Sequence, residues 1–160
     1  MDDLAHSSVG RLQFITFKSG DQEFGADIMA IREIRGWTKT TPLPHSPEYV
    51  CGVINLRGVI LPVIDLQARL GFGKTEAAAK HAIIVVESVG RTMGLLVDAV
   101  SDIVTTSLDA IQKTPELAVE AKSEFVAGIA VLDQRMITIL DMKRLSASLV
   151  GHDVDGSQAA

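Results

Sequence analysis

The alternation of apolar and polar positions is clearest between Gly52 and Leu66, GVINLRGVILPVIDL. Val53, Ile54 and Leu56 lead into Arg57-Gly58, and Val59, Ile60, Leu61, Val63 and Ile64 follow it. β-Branched residues dominate both arms, and a two-residue X-Gly link between such arms predicts a tight β-hairpin. At Asp65 the spacing changes. Leu66 and Leu70 stand one helical turn apart, so Asp65 is the expected N-cap of a short helix.

The same unit returns near the C-terminus. Gly128 to Met142, GIAVLDQRMITILDM, aligns without a gap 76 residues on, placing Gly52 on Gly128, Leu56 on Leu132, Ile64 on Leu140 and Asp65 on Asp141. The turn pair becomes Asp133-Gln134, and Met142, Leu145 and Leu149 again form a helical stripe. Upstream, GADIMAIREI (Gly25 to Ile34) aligns 69 residues on with GLLVDAVSDI (Gly94 to Ile103), pairing Ala30 with Ala99, Glu33 with Asp102 and Ile34 with Ile103. The two offsets differ, so a loop has changed length between copies. The chain reads as two related β modules, each about half its length.

Further strands are expected over Arg11–Lys18, Gln22–Gly25, His81–Glu87, Thr92–Asp98 and Val100–Val104, with a bent one over Ile28–Ile34. Pro42, Pro44 and Pro47 turn the stretch from Thr38 into an edge that passes into a loop, and Ser46-Pro47 opens a short helical turn. A second helical turn, capped by Ser107, is expected before Gln112. Residues 71–80 and 113–122 read as linkers, and 1–10 and 151–160 as flexible tails. Many short strands at regular intervals suggest small barrels or a sandwich.

Composition narrows the function. Hydrophobic residues make up 47% of the 160, so the chain is globular, and with only 4% aromatics its core must be aliphatic. A net charge of −5 argues against a nucleic-acid surface and against anionic lipid. No apolar run approaches the roughly 20 residues of a membrane helix, and MDDLAHSSVG has no signal-peptide core. The single cysteine, Cys51, excludes an internal disulfide and fits a reducing cytosol.

No catalytic set emerges. Gly73-Lys74-Thr75 lacks the glycine a phosphate loop needs five residues earlier, where Ala68 stands. His6, His45, His81 and His152 have no metal-ligand spacing and read as surface or loop histidines. Cys51 sits in an apolar run, as a small core residue would. Asp65 and Asp141 are equivalent across the repeat, which makes them twin N-caps rather than an acid/base pair. No cofactor or metal is expected.

Four segments carry a resemblance: F24-G-A-D-I-M-A-I-R-E-I-R-G36, P44-H-S-P-E-Y-V-C-G-V-I-N-L-R-G-V-I-L-P-V-I-D-L66, M93-G-L-L-V-D-A-V-S-D-I103 and F125-V-A-G-I-A-V-L-D-Q-R-M-I-T-I-L-D141. In this order they resemble the CheW family of chemotaxis coupling proteins, over about residues 11 to 147. The resemblance implies an all-β domain over 11–150 of two pseudo-repeated five-stranded SH3-like barrels. These share a hydrophobic core, with short helices at turns and at the C-terminus. The lobes would lie near 11–70 and 81–150, with strands free to exchange between them. It implies a non-enzymatic cytoplasmic scaffold that joins chemoreceptor tips to the histidine kinase CheA in membrane-associated arrays; whether it also self-associates there is left open by the sequence.

By family pattern the receptor tip docks between the lobes, at positions matching Ile31, Glu33, Gly52, Asn55, Arg57 and Gly58, with Trp37 flanking the groove. The residue types suit this. Ile31 would receive apolar anchors, Gly52 and Gly58 would admit a partner backbone, and Arg57 carries a five-donor fork. A plain turn arginine is the rival reading of Arg57. The kinase's regulatory domain, itself CheW-like, would meet Met93, Gly94, Leu95, Val97 and Val100. Two other readings compete: an enzyme or ligand-binding protein using the inter-lobe groove, and a regulatory fragment of a CheA-like kinase. The stretches Lys74–Lys80 and Ala118–Ser123 match no pattern that would identify partner selectivity.

Overall fold

The structure, a computed structural model, describes residues 11–113 and 125–149. Strands dominate. They are β1 (Arg11–Ser19), β2 (Gln22–Asp27), β3 (Ile31–Gly36), β4 (Val50–Leu56), β5 (Val59–Asp65), β6 (Ala82–Ser88), β7 (Arg91–Val97), β8 (Ala99–Ser107), β9 (Ile111–Gln112), β10 (Val126–Leu132) and β11 (Arg135–Leu140). Two helices, α1 (Leu66–Arg69) and α2 (Met142–Ser148), follow β5 and β11. The expected tails and most of the expected 113–122 linker lie outside the described residues.

The hairpins form where the alternation placed them. Arg57 and Gly58 both take positive φ, 53° and 86°, the signature of a type I′ turn, and Gly58 carries the value an L side chain resists. Asp133 and Gln134 repeat the turn at 48° and 70°. Asp65 Oδ1 accepts from Ala68 N at 3.4 Å and Asp141 Oδ1 from Arg144 N at 3.1 Å, so both aspartates are N-caps. Asp65 does more than its twin. It is buried, and accepts from the backbone N–H and hydroxyl of Thr75 at 2.7 and 2.8 Å, which straps the linker onto the fold. The bent strand expected over Ile28–Ile34 is instead a 3₁₀ turn at Ile28–Ala30 followed by β3.

The strands make two sheets, in the orders β3-β6-β7-β5-β4 and β8-β1-β2-β11-β10-β9. Each sheet forms an SH3-like lobe. The repeat holds to the level of register. Val63 pairs with Gly94 in parallel, as Ile139 pairs with Gly25; Ile34 pairs with Ile84, as Ile103 pairs with Ile15. Bulges fall between Val50 and Gly52 and again between Val126 and Gly128.

The lobes do not follow a cut between residues 70 and 81. One sheet is built from the continuous stretch β3–β7, and the other from β1–β2 together with β8–β11. We call them the inserted and the outer lobe. The reason lies in the parallel pairs. β5 takes β7 as its neighbour and β11 takes β2, so each repeat lends two strands to the other's sheet.

Three aliphatic clusters hold this together. Ile54, Leu56, Leu61, Val63, Ile83, Val85 and Leu96 fill the inserted lobe. Leu12, Phe14, Ala130, Ile137 and Ile139 fill the outer one. The largest lies between them and includes Ile15, Phe17, Phe24, Ile64, Ile84, Leu95, Leu140 and Leu145. Over it, the guanidinium of Arg69 lies 4.5 Å from the ring centres of both Tyr49 and Phe125.

Among the described residues no helix is long and apolar enough to cross a membrane, and no group of three or more His, Cys, Asp or Glu could hold a metal ion. Cys51 is half-buried against the inserted-lobe core, and burial pushes its thiol up to about 11, leaving no thiolate at neutral pH. His81 corrects its reading as a surface or loop histidine. It is buried, with Nδ1 accepting from Ala78 N at 2.9 Å and Nε2 lying 3.4 Å from Asp98 Oδ1. Two polar partners from different segments make that burial tolerable.

Candidate functional site

The candidate site is built from the edge strand β3 and the β4–β5 hairpin. On β3, Ile31, Glu33 and Arg35 are half-buried while Arg32 and Ile34 are exposed, and a bulge between Ile31 and Glu33 turns Ile31 to the inter-lobe side and Glu33 to the other. The hairpin turn brings Arg57 to Glu33, where Arg57 Nη2 donates to Glu33 Oε2. Arg35 Nη1 lies 3.5 Å from the other carboxylate oxygen. The Arg57 guanidinium beside Glu33 holds its carboxyl below the usual carboxylate range, and Arg35 adds to that; partial burial pushes the other way and loses. The arginine side chain remains 70% exposed against 27% for the glutamate. A guanidinium so placed keeps donor capacity for a partner's acceptor.

Asn55 and Gly58 are also brought together, with Asn55 Oδ1 accepting from Gly58 N at 2.8 Å. Asn55 therefore fixes the turn that presents Arg57. Ile31 packs against the inter-lobe cluster two residues before Glu33, across the bulge. Gly52 has a different role from the one expected. It is buried at φ 145°, and a Cβ there would stand 2.5 Å from the Thr41 carbonyl oxygen. The backbone it admits is the chain's own, since Thr41 and Val53 exchange both backbone hydrogen bonds, each 2.9 Å long. Trp37 packs on the inserted-lobe core and donates its backbone N–H to His81 O.

Three residues beside the site were not singled out by sequence. Arg35 is one, and Val59 and Ile60, 58% and 60% exposed beyond the turn, are the others. The signal existed: Val59-Ile60-Leu61 is three apolar residues in a row, and a strand cannot turn all three inward.

Of the positions matched to a kinase contact, Met93, Gly94, Leu95 and Val97 are interior. Met93, Leu95 and Val97 are at most 2% exposed, and Gly94 has no room for a Cβ, which would lie 2.7 Å from Ile83 Cγ2. β7 runs in the middle of its sheet, bonded to β6 on one side and β5 on the other. It offers neither an edge nor a face. Val100, at the start of β8, is half-buried against the inter-lobe cluster.

The chain matches the model of the CheW-like domain over residues 13–150. It is 50% identical over 136 residues to the probable chemotaxis protein CheW of Rhizobium etli, covering 85% of this chain and 88% of that one. It is 35% identical to the chemotaxis protein CheW of Klebsiella aerogenes, over 91% and 87% of the two chains. The scaffolding protein TtCheW of Thermoanaerobacter tengcongensis, known from a crystal structure, superposes with a TM-score of 0.77 at 36% identity, covering 84% of this chain and 91% of that one.

Proposed function

The chain belongs to the CheW family, and from that premise we propose that it is a non-enzymatic scaffold of chemotaxis signalling. It couples the cytoplasmic tips of chemoreceptors to a CheA-type histidine kinase, and it works in the cytoplasm at receptor arrays. The observation that carries the receptor half is the arginine at the β4–β5 turn. Arg57 is exposed, oriented by Glu33, and set on a turn that Asn55 and Gly58 hold in one conformation. A rigid hairpin that presents one charged fork beside exposed Val59 and Ile60 suits a helical partner with an apolar stripe and a polar rim. The receptor tip docks at Ile31, Glu33, Arg57 and Gly58; Asn55 supports them from behind.

The test is a three-component binding experiment with the purified protein, a chemoreceptor cytoplasmic tip and the regulatory domain of a CheA kinase from the same organism. A scaffold binds each and holds both in one complex. Binding of neither partner at tens of micromolar would remove the reading.

A further inference from the structure

Arg35 stands where the fold does not ask for an arginine. It faces Ile83 across β3 and β6, and the same place in the outer lobe, across from Phe14, is taken by Val104. Val104 packs on the outer-lobe cluster as a half-buried aliphatic side chain should. Ile83 is fully buried in the inserted-lobe cluster, so an aliphatic residue opposite it would be equally at home. Arg35 is half-buried there instead, and its Nε–H is shut away from solvent with no acceptor among the described residues. A buried donor left without a partner destabilises a fold. A residue that works against stability where valine serves points to a task other than holding the fold.

That task is visible at the far end of the side chain. Glu33 and Arg35 are two apart on β3 with no bulge between them, so they share a face. Arg35 Nη1 reaches Glu33 Oε1 at 3.5 Å, a charge contact at the long limit of a hydrogen bond, while Arg57 Nη2 donates to Oε2. The two oxygens thus have separate partners. The terminal torsion of a glutamate is broad and roughly two-fold, so a carboxylate anchored at one oxygen can still turn about that bond. Anchored at both, it keeps one plane, and so does the contact it offers to Arg57 on its turn. Arg35 is 35% exposed against 70% for Arg57, so it holds the less open position of the two.

We infer that Arg35 is a positioning residue for receptor docking, acting through Glu33 to hold the Arg57 guanidinium in its docking orientation. The inference rests on the receptor reading proposed above and adds a rear member to that site. Arg57 meets the partner, Glu33 orients Arg57, and Arg35 orients Glu33. The arrangement gives up some stability for a preorganised donor, whose direction is settled before the partner arrives. The outer lobe has no such relay at the equivalent positions, where Val104 carries no charge to hold Asp102.

The experiment is a double-mutant cycle on the full chain. Wild type, Arg35→Val, Glu33→Gln and the double variant are each measured for receptor-tip affinity by calorimetry and for melting temperature. Arg35→Val copies the twin residue, so the protein should keep or raise its melting temperature. Receptor-tip affinity should nevertheless fall about fivefold, the size of one pairwise coupling. In the Glu33→Gln background the same substitution should change affinity by less than about twofold, because its route to Arg57 is already cut. A carboxyl-carbon NMR titration of Arg35→Val is a second readout. The Glu33 midpoint should rise toward 4.5, by less than removal of Arg57 raises it, since Arg57 is the larger influence. Unchanged receptor affinity in Arg35→Val would overturn the inference. So would a lowered melting temperature, which makes Arg35 a plain structural residue. An equal loss with and without Glu33 would overturn it too, since Arg35 would then meet the receptor itself. A wild type that binds no receptor tip removes the receptor reading instead, a result distinct from these three.

Discussion

Arg69 is clasped between Tyr49 and Phe125, residues that occupy the same place in the two repeats. Each aromatic residue offers its backbone carbonyl to a capping aspartate, Tyr49 O to Asp65 N and Phe125 O to Asp141 N, both at 2.7 Å. The position equivalent to Arg69 is Leu145, which is fully buried. A cation stacked on two rings thus stands in one repeat where an aliphatic side chain stands in the other.

Removing it should be felt across the molecule. Arg69→Ala should cost about 1–3 kcal/mol, the sum of two partly shielded cation–π contacts and the lost packing of the stem. Arg69→Leu should recover most of that, because its twin already accepts leucine. Denaturant melts of the three proteins check this, with an unchanged m-value expected.

Reversing the charge at the turn should separate binding from folding. Arg57→Glu places two carboxylates together and leaves receptor acceptors facing an anion, so receptor-tip affinity should fall by about 30-fold or more. The melting temperature should move by less than about 5 °C, since most of the side chain is in solvent. Calorimetry with the receptor tip, beside a thermal melt, reads both. Unchanged receptor affinity would return Arg57 to the role of a plain turn residue.

Two glycines should respond differently to one methyl group. Gly58→Ala meets nothing within 4 Å and bears only the cost of left-handed backbone, about 1 kcal/mol. Gly52→Ala meets the Thr41 carbonyl and should cost more than about 2 kcal/mol, with loss of amide protection at Thr41 and Val53. Hydrogen exchange at these two amides distinguishes a local loss of the bridge from global unfolding.

Interior strand β7 should tolerate no charge. Leu95→Asp should leave no folded protein, and Leu95→Ala should cost about 2–5 kcal/mol. A folded, soluble Leu95→Asp protein that fails only to bind the kinase would restore β7 as a contact strand.

The acid limb of stability should carry the ionic pairs. Glu33 and Asp102 both titrate below their ordinary values, Glu33 through Arg57 first and Asp102 through the Thr16 hydroxyl and then Arg135. A depressed carboxyl contributes stability that is present above its unfolded value, 4.5 for Glu33 and 3.8 for Asp102, and lost as pH falls through the folded one. In Arg57→Ala the Glu33 midpoint should climb back toward 4.5 while Asp102 stays low. Carboxyl-carbon NMR titrations of both proteins resolve the two residues.

What sequence made legible was local. The two hairpin turns, the two aspartate caps and the repeat follow from short-range rules of alternation and capping, and each stands where those rules place it. β7 escaped for a physical reason. Strand alternation presumes one wet face, but Met93, Leu95 and Val97 enter the inter-lobe cluster while Leu96 enters the inserted lobe. The near-continuous run MGLLV was the available sign of a strand buried on both faces. The inserted topology was not legible, because it depends on β5 choosing β7 and β11 choosing β2 across long separations. Nor was the burial of His81, whose partners Ala78 and Asp98 come from a linker and a distant crossing.

That crossing has a mechanical meaning. Among the described residues the backbone passes between the lobes only at the Ile28–Ala30 turn and at Asp98, so the inserted lobe hangs on two short straps rather than one hinge. Asp98 is pinned on both sides: its N–H donates to Lys18 O at 2.8 Å, and its carboxylate accepts from Gly20 N and faces His81. The other strap is shortened by Asp27, whose side chain accepts from Met29 N. A body held by two such straps, with an aliphatic core filling the gap between, does not bend at the middle. Bending there would have to break the Asp98 contacts and open the aliphatic core together, which is the construction of a strut rather than of a hinge.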